Sequence, residues 1–176
     1  MKTYIAYFGL LFISTSLWLA PTDEYEVADG YSIDFKSKDP SGSFKEMDGK
    51  ISYDANSPEN AKFDLTIDVA SINTGNGMQN KKAQTEEWFD GKKYPKIKFK
   101  STKVEKKGSD LVITGDLTVK GTTKTYSIPA SVSQNGNKVT FKGTFSVSRS
   151  DFKVGKKSDV VPDAMKVSYV VPASKK

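Results

Sequence analysis

The sequence predicts an all-β domain of eight antiparallel strands with one short helix. Three observations lead to this fold class: apolar residues alternating with polar ones, glycine-containing turns between the alternating segments, and one run of helix-forming residues. Alternate side chains of a strand face opposite sides, so an apolar residue at every second position marks a strand with one buried face. The pattern occurs in eight segments, whose apolar positions lie at Ile33 and Phe35, Met47 to Tyr53, Phe63 to Val69, Ile97 and Phe99, Leu111 to Val119, Tyr126 to Val132, Val139 to Val147, and Met165 to Val171.

The turns between the central segments predict an antiparallel meander. Asn135 and Gly136 stand between two alternating segments, and this pair is a strong hairpin signal because both central residues of the tight turn need a positive φ. Gly108 and Gly121 mark the two preceding junctions. Residues 96–148 are therefore predicted to form four consecutive strands joined by hairpins.

One segment, Asn80 to Asp90, differs from the rest because it is rich in helix formers. Asn80 is a candidate helix cap and Gly91 a candidate stop. A single short helix in an all-β chain is expected to act as a lid or an end plug.

Strands with one apolar face must either pair as two sheets or close into a barrel. A closed barrel of eight strands has an interior that side chains just fill or that holds one small ligand. The segment Asp110 to Val119 would extend about 30 Å at about 3.3 Å per residue. A barrel of that length favours a long, thin ligand.

The start of the chain is typical of a signal peptide. Lys2 is the only charged residue before Asp23, and an almost wholly apolar run follows from Tyr4 to Ile13. We therefore expect residues 1–20 to be a cleaved signal peptide and residues 21–176 to form the barrel domain, in a periplasmic or secreted protein. An uncleaved membrane anchor is the alternative. The chain contains no cysteine, so it would fold outside the cytoplasm without disulfides.

The chain is basic, with 27 lysine and arginine residues against 21 acidic ones. Lysines spread singly along strands are typical of solubility and protected sheet edges, and no block of lysines with interleaved aromatic residues predicts a nucleic-acid partner. Transient contact with an anionic membrane surface stays open. The sequence does not predict an oligomeric state.

The composition excludes several kinds of catalysis. Without histidine or cysteine, the chain cannot build Ser-His-Asp or Cys-His machinery or the usual zinc sites. Asp64 and Asp68 lie on the polar face of one segment and are interpreted as surface residues. We therefore expect no enzyme, catalytic residue, metal or cofactor, although a carboxylate-dependent hydrolase stays as a less favoured alternative.

Four ordered motifs lie at consistent spacing, at Ile67 to Thr74, Trp88 to Thr102, Gly115 to Lys124, and Arg149 to Phe152. They resemble the motifs "ID-x-x-SI-x-T", "FFD-x-x-x-YP-x-I-x-F-x-ST", "G-x-LT-x-x-G-x-TK" and "R-x-DF" of the YceI-like family of exported, lipocalin-like proteins. The second match is close and not complete, because the chain begins it with Trp88-Phe89-Asp90. The resemblance covers about residues 25–171.

The resemblance implies an eight-stranded antiparallel lipocalin-like barrel that holds a polyisoprenoid, such as a polyprenyl chain or an isoprenoid quinone, in an elongated pocket. The chain departs from the family at two places where histidines are common, near Lys36 and in the segment Lys81 to Ala83. A family role that depends on imidazole at these places therefore does not carry over to this chain, and the preferred head group is left open.

The apolar residues that are expected to face the barrel interior, together with the resemblance, predict a tube with an apolar wall. Small residues such as Gly143 beside large ones are expected to leave room for a ligand, although alternating sizes could equally fill a tapering barrel. On the first interpretation, Gly143→Phe should fold and lose the lipid. The predicted ligand-binding residues are Phe63, Leu65, Ile67, Trp88, Phe89, Ile97, Phe99, Leu117, Ile128, Phe141, Gly143, Phe145 and Tyr169.

Arg149 is the only arginine and is the candidate contact for a ligand head group. A structural contact with Asp151 or with backbone carbonyls is the alternative. The leading functional hypothesis is non-catalytic binding or transport of a long isoprenoid lipid. An exported structural or adhesive β-domain without a ligand is the main rival.

Overall fold

The computed structural model describes residues 23–38, 40–156 and 161–176. The predicted signal peptide lies outside the described residues. One α-helix, α1, spans Gly77–Ala83, and 3₁₀ turns lie at Pro58–Asn60, Val69–Ser71 and Ser150–Phe152. The strand segments are β1 Asp23–Val27, β2 Ser32–Lys36, β3 Ser41–Phe44, β4 Met47–Tyr53, β5 Lys62–Asp68, β6 Ile72–Asn73, β7 Lys96–Lys107, β8 Asp110–Val119, β9 Thr122–Asn135, β10 Lys138–Ser148 and β11 Ala164–Lys175.

These segments form eight barrel strands, because the first six are the two halves of three interrupted strands. β1 and β2 pair with successive parts of β11, β4 and β3 pair with β1 and β2, and β5 and β6 pair with β4 and β3. β7 to β11 follow as single strands, and the pairing of β1 with β11 closes the barrel. The predicted fold of eight antiparallel strands with one helix is confirmed, and closure decides between a barrel and two sheets.

The hairpin turns differ in detail from the prediction. Asn135 is the last residue of β9, so the two-residue loop is Gly136 and Asn137, and of the two only Gly136 has a positive φ, at 57°. The turn with positive φ at both central residues is instead Lys120–Gly121, at 48° and 72°. A strong turn signal in the sequence thus located the hairpin but misplaced its register by one residue.

The helix starts and ends earlier than the sequence predicts. Asn76, not Asn80, is its N-cap: the Asn76 side-chain oxygen accepts hydrogen bonds from the backbone N–H groups of Met78 and Gln79. The Asn80 side chain instead accepts from the N–H and the hydroxyl of Thr74. After Ala83 the chain makes consecutive turns, ending with Asp90 at a positive φ of 50°. Tertiary anchoring of these turns, described below, therefore outweighs the helix propensity of residues 84–90.

One seam of the barrel lacks a continuous hydrogen-bond ladder. β9 and β10 pair from Lys138 to Lys142 and then stop. Beyond that point Pro129 has no N–H to donate, and its carbonyl accepts a hydrogen bond of 2.8 Å from the Tyr169 hydroxyl. The Tyr126 hydroxyl accepts from the backbone N–H of Ser148 across the same seam. Where main-chain bonds are missing, Tyr126 therefore bridges β9 and β10, and Tyr169 of β11 reaches across β10 to β9.

The outer face of the barrel carries charges of alternating sign. Register pairs place Glu26, Lys50, Asp64, Lys100 and Asp116 in one row across five neighbouring strands. Opposite charges on adjacent strands stabilise a sheet modestly. This arrangement accounts for many of the lysines as a solvated surface and puts Asp64 outside the barrel.

Candidate functional site

The barrel encloses a cavity of about 420 Å³ whose wall is mainly aliphatic and aromatic. That volume lies in the range of about 300–1,000 Å³ typical of pockets for small molecules. The inward faces of most barrel strands contribute, together with α1 and two turn regions. The described lining residues include Ile33, Phe35, Phe44, Met47, Ile51, Phe63, Leu65, Ile67, Ile97, Phe99, Leu117, Ile128, Phe141, Phe145, Val167, Tyr169 and Val171.

Aromatic packing closes one end of the cavity. The Phe141 ring lies edge-on to Phe63, with ring centroids 5.0 Å apart, and edge-on to Tyr53 at 5.3 Å. Phe141 is 2% exposed. Below this floor the barrel is filled by buried side chains such as Tyr25 and Val139. A ligand therefore has to enter from the opposite end.

The opposite end carries α1 and the turns that follow it. Gln79 and Lys82 of the helix, and Trp88 and Phe89 of the turns, line the cavity. The Gln84 side-chain amide donates a hydrogen bond of 2.8 Å to the carbonyl of Val69, which fixes the turns to the barrel rim. The helix thus lies at the cavity mouth, a position that fits the predicted lid or end plug.

Arg149 is buried beside the mouth and makes a structural contact. Its guanidinium donates to three backbone carbonyls: Nε to Pro162 at 3.0 Å, one terminal nitrogen to Val154 at 2.6 Å, and the other to Val161 at 2.8 Å. Three of its five N–H groups are therefore occupied by the chain. Arg149 also borders the cavity. Its guanidinium binds backbone carbonyls, as one of the two structural alternatives predicted, rather than the carboxylate of Asp151.

Trp88 packs against this arginine. The Arg149 guanidinium carbon lies 5.6 Å from the centroid of the Trp88 ring, and the Lys82 ammonium lies 5.7 Å from it. Gly155 has to be a glycine, because a Cβ there would lie 3.0 Å from the Trp88 ring and 2.8 Å from the Arg149 guanidinium, and because its φ is +69°. The indole nitrogen of Trp88 is buried and has no hydrogen-bond partner.

The Lys120 ammonium connects the two segments that carry Trp88 and Arg149. It donates to the carbonyl of Lys153 at 2.9 Å and to the carbonyl of Glu87 at 3.3 Å. The backbone N–H of Gly155 also donates to the Glu87 carbonyl, at 2.9 Å. Segments distant in the sequence are therefore held in one rim around the mouth.

The structure brings the predicted tube residues around this single cavity, with one exception. Every predicted ligand-binding residue except Gly143 lines it, and so does Arg149. Ligand contact by these residues stays a prediction. The same cavity wall includes residues that were not predicted to line it, among them Phe152, Val154 and Val161, which lie outside the alternating strand segments.

The expectation for Gly143 is wrong. A Cβ at this position would overlap the carbonyl oxygen of Pro129 and would lie 2.8 Å from the Tyr169 hydroxyl. Gly115 is similar, because a Cβ there would lie 2.6 Å from the Phe99 ring and 2.5 Å from the carbonyl oxygen of Lys100. These glycines let a neighbouring aromatic ring lie across them, so they provide close packing and no room for a ligand.

Several ionisable groups have shifted pKa values, each with a local cause. Burial raises the pKa of the Tyr169 phenol well above its ordinary value, and burial likewise raises the pKa of Tyr126. The backbone N–H of Ala70 and then the Lys96 ammonium, at 3.0 Å, lower the pKa of Asp68. Asp68 is thus engaged in a turn cap and a surface ion pair.

Within the described ranges, no Asp or Glu lines the cavity, and no group of three or more acidic residues could hold a metal ion. The described part of the chain also has no helix that is long and apolar enough to cross a membrane.

Comparison with known proteins gives a consistent result. The model of the YceI-like domain matches residues 26–173. The protein YceI of Escherichia coli is 31% identical over 136 residues, which cover 74% of this chain and 70% of that protein. The crystal structure of BcnA from Burkholderia cenocepacia superposes with a TM-score of 0.78 at 31% identity and covers 82% of this chain and 96% of BcnA. A polyisoprenoid-binding domain from Saccharophagus degradans shares the fold, with a TM-score of 0.69 at 14% identity, covering 88% of this chain and 99% of that domain.

Proposed function

The chain belongs to the YceI-like domain family, and from that premise we propose that it binds a long isoprenoid lipid, a polyprenyl chain or an isoprenoid quinone, inside the barrel without catalysing a reaction. A solved structure with the same fold is described as a polyisoprenoid-binding domain. The barrel would serve as a carrier or a store that shields the lipid from water.

The observation that carries this proposal is the apolar cavity with one closed end. Its wall is built from aliphatic and aromatic side chains of neighbouring strands, and its floor is the Tyr53, Phe63 and Phe141 cluster. An isoprenoid tail gains about 0.8 kcal/mol for each CH₂ group transferred from water into such a wall. Burial of the tail alone is therefore a sufficient source of affinity.

Two other functions compete with lipid binding. A structural or adhesive domain would need no cavity, and the volume of about 420 Å³ argues against it. A carboxylate-dependent hydrolase would need two acidic side chains facing one cleft. Asp64, which the sequence offers for such a role, is exposed on the outer face.

Native mass spectrometry of the purified protein, followed by lipid extraction, tests the proposal. We expect a mass excess that disappears on delipidation and an extract containing an isoprenoid. Delipidated protein should then take up a polyprenol from solution. Protein that never carries or takes up an isoprenoid would favour the structural domain.

We also propose that the protein is exported to the periplasm or secreted. Lys2 and the apolar run after it support this proposal. N-terminal sequencing of exported protein should find a first residue between about Thr15 and Asp23. An intact Met1 on a membrane-bound product would favour an anchor instead.

A further inference from the structure

We propose that Lys82 and Trp88 at the cavity mouth select a lipid with an anionic, acceptor-rich head group, such as a phosphate, over one with a neutral head group. This inference rests on the proposed function and concerns which isoprenoid the same cavity takes. The evidence is an asymmetry of charge at the mouth and one hydrogen-bond donor without an acceptor.

The charge asymmetry comes from the described residues that line the cavity. Lys82 and Arg149 are the cationic ones, and no lining residue of the described ranges is acidic. Neither cation forms an ion pair with a described carboxylate, although four ion pairs occur elsewhere on the surface. The carboxylate of exposed Asp163 accepts hydrogen bonds from Ser148 and Ser150 and also interacts with the charge of Arg149. The described lining of the mouth therefore carries positive charge only, with Lys82 the cation that no such carboxylate faces, and this charge favours an anion.

The unmatched donor is the indole N–H of Trp88. A buried tryptophan N–H usually finds an acceptor, and leaving one unpaired costs free energy. Here the ring lines the cavity with the Lys82 and Arg149 cations both within 6 Å of its centroid, yet its N–H is unpaired. An oxygen atom of a ligand head group at this wall would supply the missing acceptor.

Arg149 plays a different part in the arrangement. Because three of its N–H groups hold backbone carbonyls of the rim, it acts as a positioning residue whose guanidinium is fixed over the Trp88 ring. Lys82 has no such bonds to the chain, so its ammonium is available to the ligand. Ammonium groups bind phosphate as point charges and do not need a fixed geometry.

The test measures equilibrium binding of two lipids, geranylgeranyl phosphate and geranylgeraniol, to delipidated protein in buffer without vesicles. The two lipids have the same isoprenoid chain, and only the phosphate is charged. Three variants are used: Lys82→Gln removes the charge, Trp88→Phe keeps an aromatic ring without the N–H, and Lys81→Gln is the matched control. Lys81 is an exposed lysine of the same helix that does not line the cavity.

We expect the parent to bind the phosphate at least about tenfold more tightly than the alcohol. Each of the two groups would make a charge-assisted hydrogen bond to the phosphate, so Lys82→Gln and Trp88→Phe should each weaken phosphate binding by about tenfold. Binding of geranylgeraniol should fall by a clearly smaller factor than binding of the phosphate in both variants, and Lys81→Gln should bind both lipids like the parent. Inorganic phosphate alone should not compete, which separates a lipid head group from a free anion site.

Equal affinity of the parent for the two lipids would overturn the inference. So would a loss in Lys82→Gln that is matched by Lys81→Gln, or a loss that is equal for phosphate and alcohol. Failure of the parent to bind either lipid would instead overturn the proposed function, so the two failures can be distinguished.

Discussion

The two ends of the barrel are built by the same strands and yet differ in packing. In β10, Val139 and Phe141 at the closed end are at most 2% exposed, whereas Phe145, four residues on from Phe141, is partly exposed at the cavity wall. In β11, Ala173 at the closed end is fully buried, whereas Val167 is partly exposed and faces Phe35 and Phe145 on its two neighbours.

The difference between the ends arises from how the barrel is covered. At the closed end β1 lies between β4 and β11, so the wall is complete and rings from opposite strands meet across it. At the open end β9 and β10 do not pair, and a short helix and turns stand over the rim. The same alternation of apolar residues therefore produces a filled core at one end and a binding cavity at the other.

The largest contrast is expected from truncating a phenylalanine at each end. Phe141→Ala removes a ring that is 2% exposed and packs edge-on against Phe63 and Tyr53 at the cavity floor, and should lower the free energy of unfolding by about 3–5 kcal/mol. Phe35→Ala, at the open end, should cost less than about 2 kcal/mol, because one side of the ring already borders the cavity. Urea unfolding of both delipidated variants measures the difference. Equal losses would mean that the open end is as tightly packed as the closed one.

A second contrast concerns adding a methyl group to a glycine. Gly143→Ala should lower the free energy of unfolding by about 3 kcal/mol, because the new Cβ overlaps backbone of the neighbouring strand, and Gly143→Phe should be worse. Gly77→Ala is the control: no atom lies within 4 Å of a Cβ there, and alanine favours the helix. A Gly143→Ala protein as stable as the parent would show that β9 and β10 can separate at this seam without cost.

A third variant fills the cavity from its wall. Val167→Phe should remove co-purifying lipid while keeping the stability of the delipidated protein within about 1 kcal/mol, because the added ring enters existing space. Lys166→Phe, on the outer face of the same strand, should retain the lipid. The measurement is lipid content by mass spectrometry together with unfolding of delipidated samples, since bound lipid itself raises stability. Retained lipid in Val167→Phe would place the ligand elsewhere.

The smallest effect is expected for Asp163 at the rim, whose carboxylate contributes to the free energy of unfolding in a pH-dependent way. The Ser148 hydroxyl, and then the N–H and hydroxyl of Ser150, hold the pKa of Asp163 below its ordinary value. Because the pKa is lower in the folded state, this carboxylate stabilises the fold above pH of about 4, and the contribution disappears as the pH falls through the folded-state pKa. Asp163 is exposed, so Asp163→Asn should cost under about 1 kcal/mol at pH 7.

The pH dependence distinguishes this effect from a general loss of packing. The stability difference between Asp163→Asn and the parent should shrink as the pH falls below about 4. A difference that is unchanged down to pH of about 2 would mean that the carboxylate charge is not what stabilises this rim.

The sequence by itself determined the strand number, the family and most of the cavity wall. Alternation with a period of two depends on local geometry, so residues such as Phe63 and Phe99 could be assigned to the inner face without knowledge of their neighbours. The helix was found but displaced, because residues 84–90 are good helix formers that long-range bonds, such as that from Gln84 to Val69, hold in turns.

Only the tertiary structure decided where the interior is empty. Whether there is space beside Gly143 depends on how close a ring or a backbone carbonyl of another strand lies to it. That distance cannot be predicted from the sequence of the strand that contains Gly143. The sequence left the role of Arg149 undecided for the same reason. Its acceptors are the backbone carbonyls of Val154, Val161 and Pro162, which belong to no sequence motif and lie beside the guanidinium only in the folded rim. A pattern along the chain fixes which way a side chain faces, whereas the volume it meets is fixed by strands that are distant in sequence.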